Sequence, residues 1–211
     1  MQLVEVQVDD DGDRWERRMS ATSNLKEDHL IVRRIRNIAK EYAEIIYSSN
    51  SVPVDDVKRV LILIEVFIDA YHHCKEECSY FPAVNGTMLE DEAKALAIEH
   101  ELGRRIARML NSNLDLWLRD DSNSEPVARM LKAYAEYLDV HIDREERFFS
   151  SYDAVVHEQE QVIDAFNAIR KERMDDARLN SILSMLDKLE GSLARMKESV
   201  VVGKEGDGAR R

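Results

Sequence analysis

Two stretches of the chain repeat one pattern of histidine and acid. Asp28-His29 and Glu99-His100 each run into Arg-Arg-Ile at the same offset, in DHLIVRRI and EHELGRRI. Downstream of each, His73 and His141 carry a glutamate four residues on, Glu77 and Glu145. Aromatics follow at the seventh and eighth positions, Tyr80 with Phe81 and Phe148 with Phe149. The chain therefore reads as two copies of a helix pair, a His helix followed by a His-x-x-x-Glu helix. A spacing of four turns an α-helix by about 400°, so each His-x-x-x-Glu pair projects from one face.

The rest of the chain suits that reading. It has 7 Gly and 3 Pro in 211 residues and is 44% hydrophobic and 34% charged, too few turn residues for many short strands. Helical periodicity predicts an all-α protein, an up-down four-helix bundle with additional C-terminal helices. The first helix is expected over about 24–47, with Asn24 as N-cap. The second starts after Ser51, with Pro53 near its first turn, and reaches about Phe81. The third follows a Thr87/Glu90 capping box and reaches about Arg119. The fourth runs from Ser124 to about Tyr152. Two further helices, 159–172 and 179–196, break near Arg173-Met174-Asp175-Asp176. The organisation expected is a polar tail over 1–22, the bundle over 23–153, a helical extension over 154–202 and a polar tail over 203–211. In the last helix Ile182, Leu186, Leu189, Leu193 and Met196 form a narrow seam that needs a partner, with the side of the bundle favoured over a homodimer or protein partner.

The histidines fall on apolar stripes to different degrees. On the fourth helix the stripe Val127, Leu131, Tyr134, Leu138, His141, Glu145, Phe148 and Tyr152 is unbroken. A histidine and a glutamate inside such a stripe are costly to bury without a partner, and a bound cation is the simplest one. The third helix places His100 in line with Leu96, Gly103 and Ala107. On the second, His73 and Glu77 lie at the edge of the Val60, Ile64, Phe67, Tyr71 stripe. His29 stands well over 90° from the Ile31, Ile35, Ile38, Tyr42 stripe, so the repeat and not the helical wheel argues for it. By the same wheel His72 and Glu146 point away, with His72 and Glu76 a candidate surface pair, and His157 is an ordinary surface histidine. The metal-ligand set expected is His29, His73, Glu77, His100, His141 and Glu145. Imidazole mixed with carboxylate suits iron better than magnesium or calcium, and no Cys/His spacing typical of structural zinc occurs. Cys74 and Cys78, one turn apart, are expected as reduced thiols.

These motifs resemble the hemerythrin-like HHE cation-binding family: DHLIVRRI, HHCKEECSYFP, EHELGRRI and HIDREERFF follow its order of acidic-His, His-His-x-x-Glu-Glu, Glu-His and His-Ile-x-x-Glu-Glu over about residues 24–152. The resemblance implies two non-haem iron ions, one held by His29 and His73, the other by His100 and His141, with Glu77 and Glu145 bridging. Hemerythrins proper carry a further third-helix histidine where this chain has Arg104. They also place the fourth-helix carboxylate one residue later, and Ser150 and Ser151 stand where the family has a proline. Open positions on both metals shift the expectation from oxygen carriage to binding or sensing a small oxidant such as oxygen, nitric oxide or peroxide. The alternatives are a redox enzyme, for peroxide scavenging or iron-sulfur-cluster repair, or a metal-responsive interaction module. A net charge of −12 argues against nucleic acid and anionic membranes. With no apolar span or signal-like start, a cytoplasmic location is expected.

Overall fold

A computed structural model describes residues 20–48, 52–120 and 124–208, with side chains to residue 198. The expected N-terminal tail thus lies outside the described residues up to residue 19. Among the described residues every regular element is helical: α1 (Ala21–Tyr47), α2, α3 (Glu90–Trp117), α4 (Ser124–Val155), α5 (Glu160–Arg173) and α6 (Asp176–Gly208). α2 is regular over Val54–Leu63 and continues π-helical through Ile64–His73 and Glu76–Tyr80.

The caps differ from expectation at α1. Ser20, not Asn24, caps it: its Oγ accepts from Ser23 N at 3.0 Å, and Asn24 N already bonds Ser20 O within the first turn. Before α3, Thr87 Oγ1 accepts from Leu89 N and Glu90 Oε2 accepts from Gly86 N, so the expected Thr/Glu pair closes the turn. Gly86 sits at φ 76°, where a side chain would be strained. No described helix is long and apolar enough to cross a membrane.

α1 packs on α2 and α4, and α3 on α2 and α4, closing an antiparallel four-helix bundle. Its interior is split into two apolar regions. The larger holds Val32, Ile35, Phe67, Leu110, Leu131 and Leu138. The smaller holds Leu25, Tyr80, Leu96, Phe148, Phe149 and Tyr152. Each bundle helix contributes to both regions, and on each helix the buried histidines lie where the two contributions meet.

The C-terminal helices complete both regions. α6 lies on α1 and α2 and buries Ile182, Leu186, Leu189 and Leu193 against the larger core. The seam's apolar residues are therefore covered within the chain. Arg34 fixes α6 with Nε on Glu190 at 2.8 Å and Nη2 on Asp187 at 2.7 Å. α5 brings Val162 and Phe166 to the smaller core. The α5–α6 break falls at Met174 and Asp175, but α6 continues to Gly208, past Met196 and into the expected polar tail. Leu186→Ala should cost about 2–5 kcal/mol in urea unfolding, as for other large-to-small core changes. The same change at half-exposed Leu116 should stay within about 0.5 kcal/mol.

Candidate metal centre

Between the two apolar regions, seven buried side chains converge as two groups that could each hold a cation. One is His73, His100 and His141; the other is His29, His72, Glu76 and Glu145. Glu145 faces both. Its Oε1 lies 3.0 Å from His141 Nε2 and 3.2 Å from His100 Nε2, while Oε2 lies 3.3 Å from His29 Nε2. Glu76 Oε2 lies 3.6 Å from His72 Nε2 and 3.5 Å from His100 Nε2. His73 and His100 stack at 3.8 Å between ring centroids.

The outer nitrogen of each histidine faces a carboxylate, and in four cases that acid comes from another helix. His29 Nδ1 faces Glu146 at 3.4 Å, and His72 Nδ1 faces Asp28 at 3.3 Å. His100 Nδ1 meets Glu77 at 2.7 Å, and His141 Nδ1 meets Glu99 at 2.9 Å. His73 Nδ1 is 3.5 Å from Asp69. A cation then neutralises each of the four: Arg33 on Glu146, Lys75 on Asp28, Arg104 on Glu77 and Arg144 on Glu99.

This network reveals the register of the repeat. His72-x-x-Lys75-Glu76-Glu77 on α2 corresponds to His141-x-x-Arg144-Glu145-Glu146 on α4. Asp28 with Arg33 on α1 corresponds to Glu99 with Arg104 on α3. His73 has no histidine counterpart, since Ile142 stands in its place, so the two halves are unequal.

The charges conflict unless something positive lies between them. A neutral imidazole carries one N–H. With that proton on Nδ1 toward its carboxylate, Nε2 offers a lone pair that faces glutamate oxygens. His29 Nε2, His141 Nε2 and both Glu76 oxygens accordingly have no hydrogen-bond partner among the described residues. A shared cation reconciles acceptor with acceptor, and imidazole–carboxylate pairs of this kind orient metal-binding histidines. The residues therefore fit a metal.

The titration behaviour follows the same geometry. Burial lowers His72 to about 4 against the pull of Asp28, and burial with the neighbouring His100 and His72 holds His73 well below the usual imidazole range. Burial and then the charge of Glu145 raise Glu76 well above the carboxylate range. For Glu145 burial pushes upward but is outweighed by the neighbouring His141, His100 and His29, leaving it well below that range. In the metal-free protein Glu76 is thus the protonated carboxyl and Glu145 the ionised one.

Of the residues expected from sequence, the structure brings together His29, His73, His100, His141 and Glu145. Glu77 falls outside both groups, bonded to His100 and Arg104. His72 and Glu76, expected on the surface, are buried in the centre instead. The wider π-helical turn is the reason, because it lets adjacent His72 and His73 both face inward. It also displaces Tyr80 and Phe81 by one residue relative to Phe148 and Phe149, so aligning the repeat on its aromatics mispaired His73 with His141. The Glu-Glu doublet, at four and five residues after His72 and after His141, carries the correct register in plain sequence. His29 is fully buried because the inner face of α1 runs through Leu25, Val32, Ile35 and Tyr42, while Ile31 is only partly covered.

A cavity of about 110 Å³ opens between α2 and α3 beside the centre, lined by Ile64, Asp69, His73, Gly103, Arg104 and Tyr134. Arg104 spans it, donating from Nε to Asp69 at 2.6 Å and from Nη2 to Glu77 at 2.8 Å. It stands four residues after His100, as Arg33 does after His29.

The low pKa of His72 makes metal-free stability depend on pH. Between about pH 6.5, the unfolded value, and pH 4 the unfolded chain takes up a proton that the folded one refuses, so this contribution is lost as pH falls. Relative to His72→Gln, the metal-free parent should lose about 2 kcal/mol between pH 7 and 4.5 at 1.36 kcal/mol per unit. Urea unfolding at the two pH values measures it, and parallel losses in both proteins would refute the assignment.

Comparison with known proteins agrees with the geometry. No curated protein and no solved structure matches the chain. The family model of the hemerythrin HHE cation binding domain matches residues 20–152, the span from the α1 cap to the last buried tyrosine of α4 that encloses every residue of the centre. The chain therefore belongs to the hemerythrin HHE cation-binding domain family.

Proposed function

We propose that the centre holds two non-haem iron ions and that the protein binds or senses a small oxidant: oxygen, nitric oxide or peroxide. One observation carries this reading, the position of Glu145, whose two oxygens face the histidines of opposite halves. His73, His100 and His141 would hold one ion and His29 and His72 the other, with Glu76 and Glu145 shared. Five imidazoles and two carboxylates suit iron in its common oxidation states better than magnesium or calcium. When bound, iron supplies one-electron redox chemistry and open positions for a small ligand.

The protein's own residues prepare that site. Asp28, Glu77, Glu99 and Glu146 fix the rings so that each Nε2 is presented inward. Glu76 holds a proton that cation binding displaces. The two apolar regions above and below keep bulk water out. The cavity beside His73 is large enough for a diatomic or triatomic molecule and far below the roughly 300 Å³ of an organic-ligand pocket, which favours a small oxidant. The free thiols Cys74 and Cys78 suit a reducing compartment such as the cytoplasm.

Anaerobic loading with ferrous iron should yield about two irons per chain, and admission of air should produce a new ligand-to-iron absorption band. A spectrum unchanged in air would sink the oxidant reading. The roles of the two neighbouring glutamates separate cleanly. Glu76→Gln should reduce iron content to one ion or fewer, whereas Glu77→Gln should still load two and weaken affinity about 10–100-fold, as loss of an outer-shell partner does. The reverse ranking in elemental analysis would reinstate Glu77 as the ligand.

A further inference from the structure

Tyr137 is buried one turn before His141 on α4, its ring stacked on that imidazole at 5.1 Å with 17° between planes. Its hydroxyl is sealed from solvent and has no hydrogen-bond partner among the described residues. A buried tyrosine ordinarily satisfies its O–H, so an orphan of this kind calls for a cause. Tyr152 has the same deficit, but its ring lies against Tyr80 and Phe148 in the smaller core, touching no imidazole.

Gly103 shows that the position of the phenol is built in. A Cβ at that residue would stand 2.6 Å from Tyr137 Cε1 and 2.9 Å from the hydroxyl, so any larger residue would displace the ring. Gly103 follows His100 by one turn on the inner face of α3, and it also lines the cavity beside His73. The hydroxyl consequently lies beside Gly103, a residue of the cavity wall, on a ring stacked against His141 of the three-imidazole group. A tyrosine hydroxyl with no partner is a ready hydrogen-bond donor.

We infer that Tyr137 is a ligand-positioning residue whose hydroxyl donates a hydrogen bond to a small acceptor ligand, diatomic or triatomic, bound beside His73, His100 and His141. This rests on the proposed metal reading and adds to it the group that recognises the ligand. In the ligand-free protein the donor is idle, which accounts for its lack of a partner.

Tyr137→Phe in the full-length protein, with azide as the probe, tests the inference. It keeps the ring against Gly103 and His141. Iron content should match the parent, and the metal-free variant should be at least as stable in urea, since its hydroxyl has no partner to lose. The azide dissociation constant of the ferric protein should rise about tenfold, 1.4 kcal/mol. The bound-azide stretch should lose the deuterium-oxide shift that the parent shows. Equal azide affinity and equal isotope shift with iron retained would overturn the inference and leave the metal reading standing. A destabilised metal-free variant would also overturn it, by assigning the hydroxyl to the fold. Failure of the unsubstituted protein to take up iron would instead remove the metal reading, and this inference with it.

Discussion

The structure is organised around a polar layer inside a helical bundle. Five imidazoles and two carboxylates lie where a bundle of this size would ordinarily place leucine and phenylalanine. Such a layer is expensive to bury unless its lone pairs and charges are compensated. Most of the compensation is arranged outward, from histidine to carboxylate to arginine or lysine, and for four of the five histidines each step crosses from one helix to another. These cross-helix links hold the four helices in register more specifically than the apolar cores alone could. They also leave the inward atoms unpaired, poised for a cation.

The two-fold arrangement of these links explains residues that otherwise look like surface charge. Arg33 and Arg104 neutralise the second glutamate of the facing doublets, and Lys75 and Arg144 neutralise the acids that precede the opposite histidines. Lys75 shows how far the network reaches. Almost fully buried, it bonds Asp28 at 2.5 Å and lies over the rings of Tyr71 and Phe166 at 4.6 and 5.1 Å. Phe166 belongs to α5, so the C-terminal extension covers the ammonium group on which the orientation of His72 depends. The extension is thus part of the centre's support, although it lies outside the matched domain.

The π-helical stretch of α2 is where the repeat departs from symmetry. On a regular helix adjacent residues diverge by about 100°, which spreads His72, Glu76 and His73 over a wide arc. Widening the turn narrows that divergence and adds a fifth imidazole that α4 does not supply. The backbone irregularity is compensated in part by Arg173, which donates to the Ala70 carbonyl at 2.9 Å. The unequal halves, three histidines against two, follow from this distortion together with Ile142, which stands where α4 would carry a counterpart of His73.

Much of this was legible in the chain itself. Scarce glycine and proline, four long apolar periodicities and a repeated His helix and His-x-x-x-Glu helix determined an all-α bundle and placed His100, His141 and Glu145 on its inner face. The seam in the last helix announced that it would be covered. Sequence chose Glu77 over its neighbour Glu76 on α2 and put His72 on the surface, since the ideal-helix wheel assumes a pitch that this helix abandons. The repeat put His29 in the expected set, but the wheel misplaced it for a related reason: the buried face of α1 is set by what α4 presents to it and not by where its isoleucines cluster. Residue types and spacings determined the chemistry available to the layer, because they are local and periodic. The tertiary structure alone decided which atoms meet, because that depends on helix pitch and on partners from other helices.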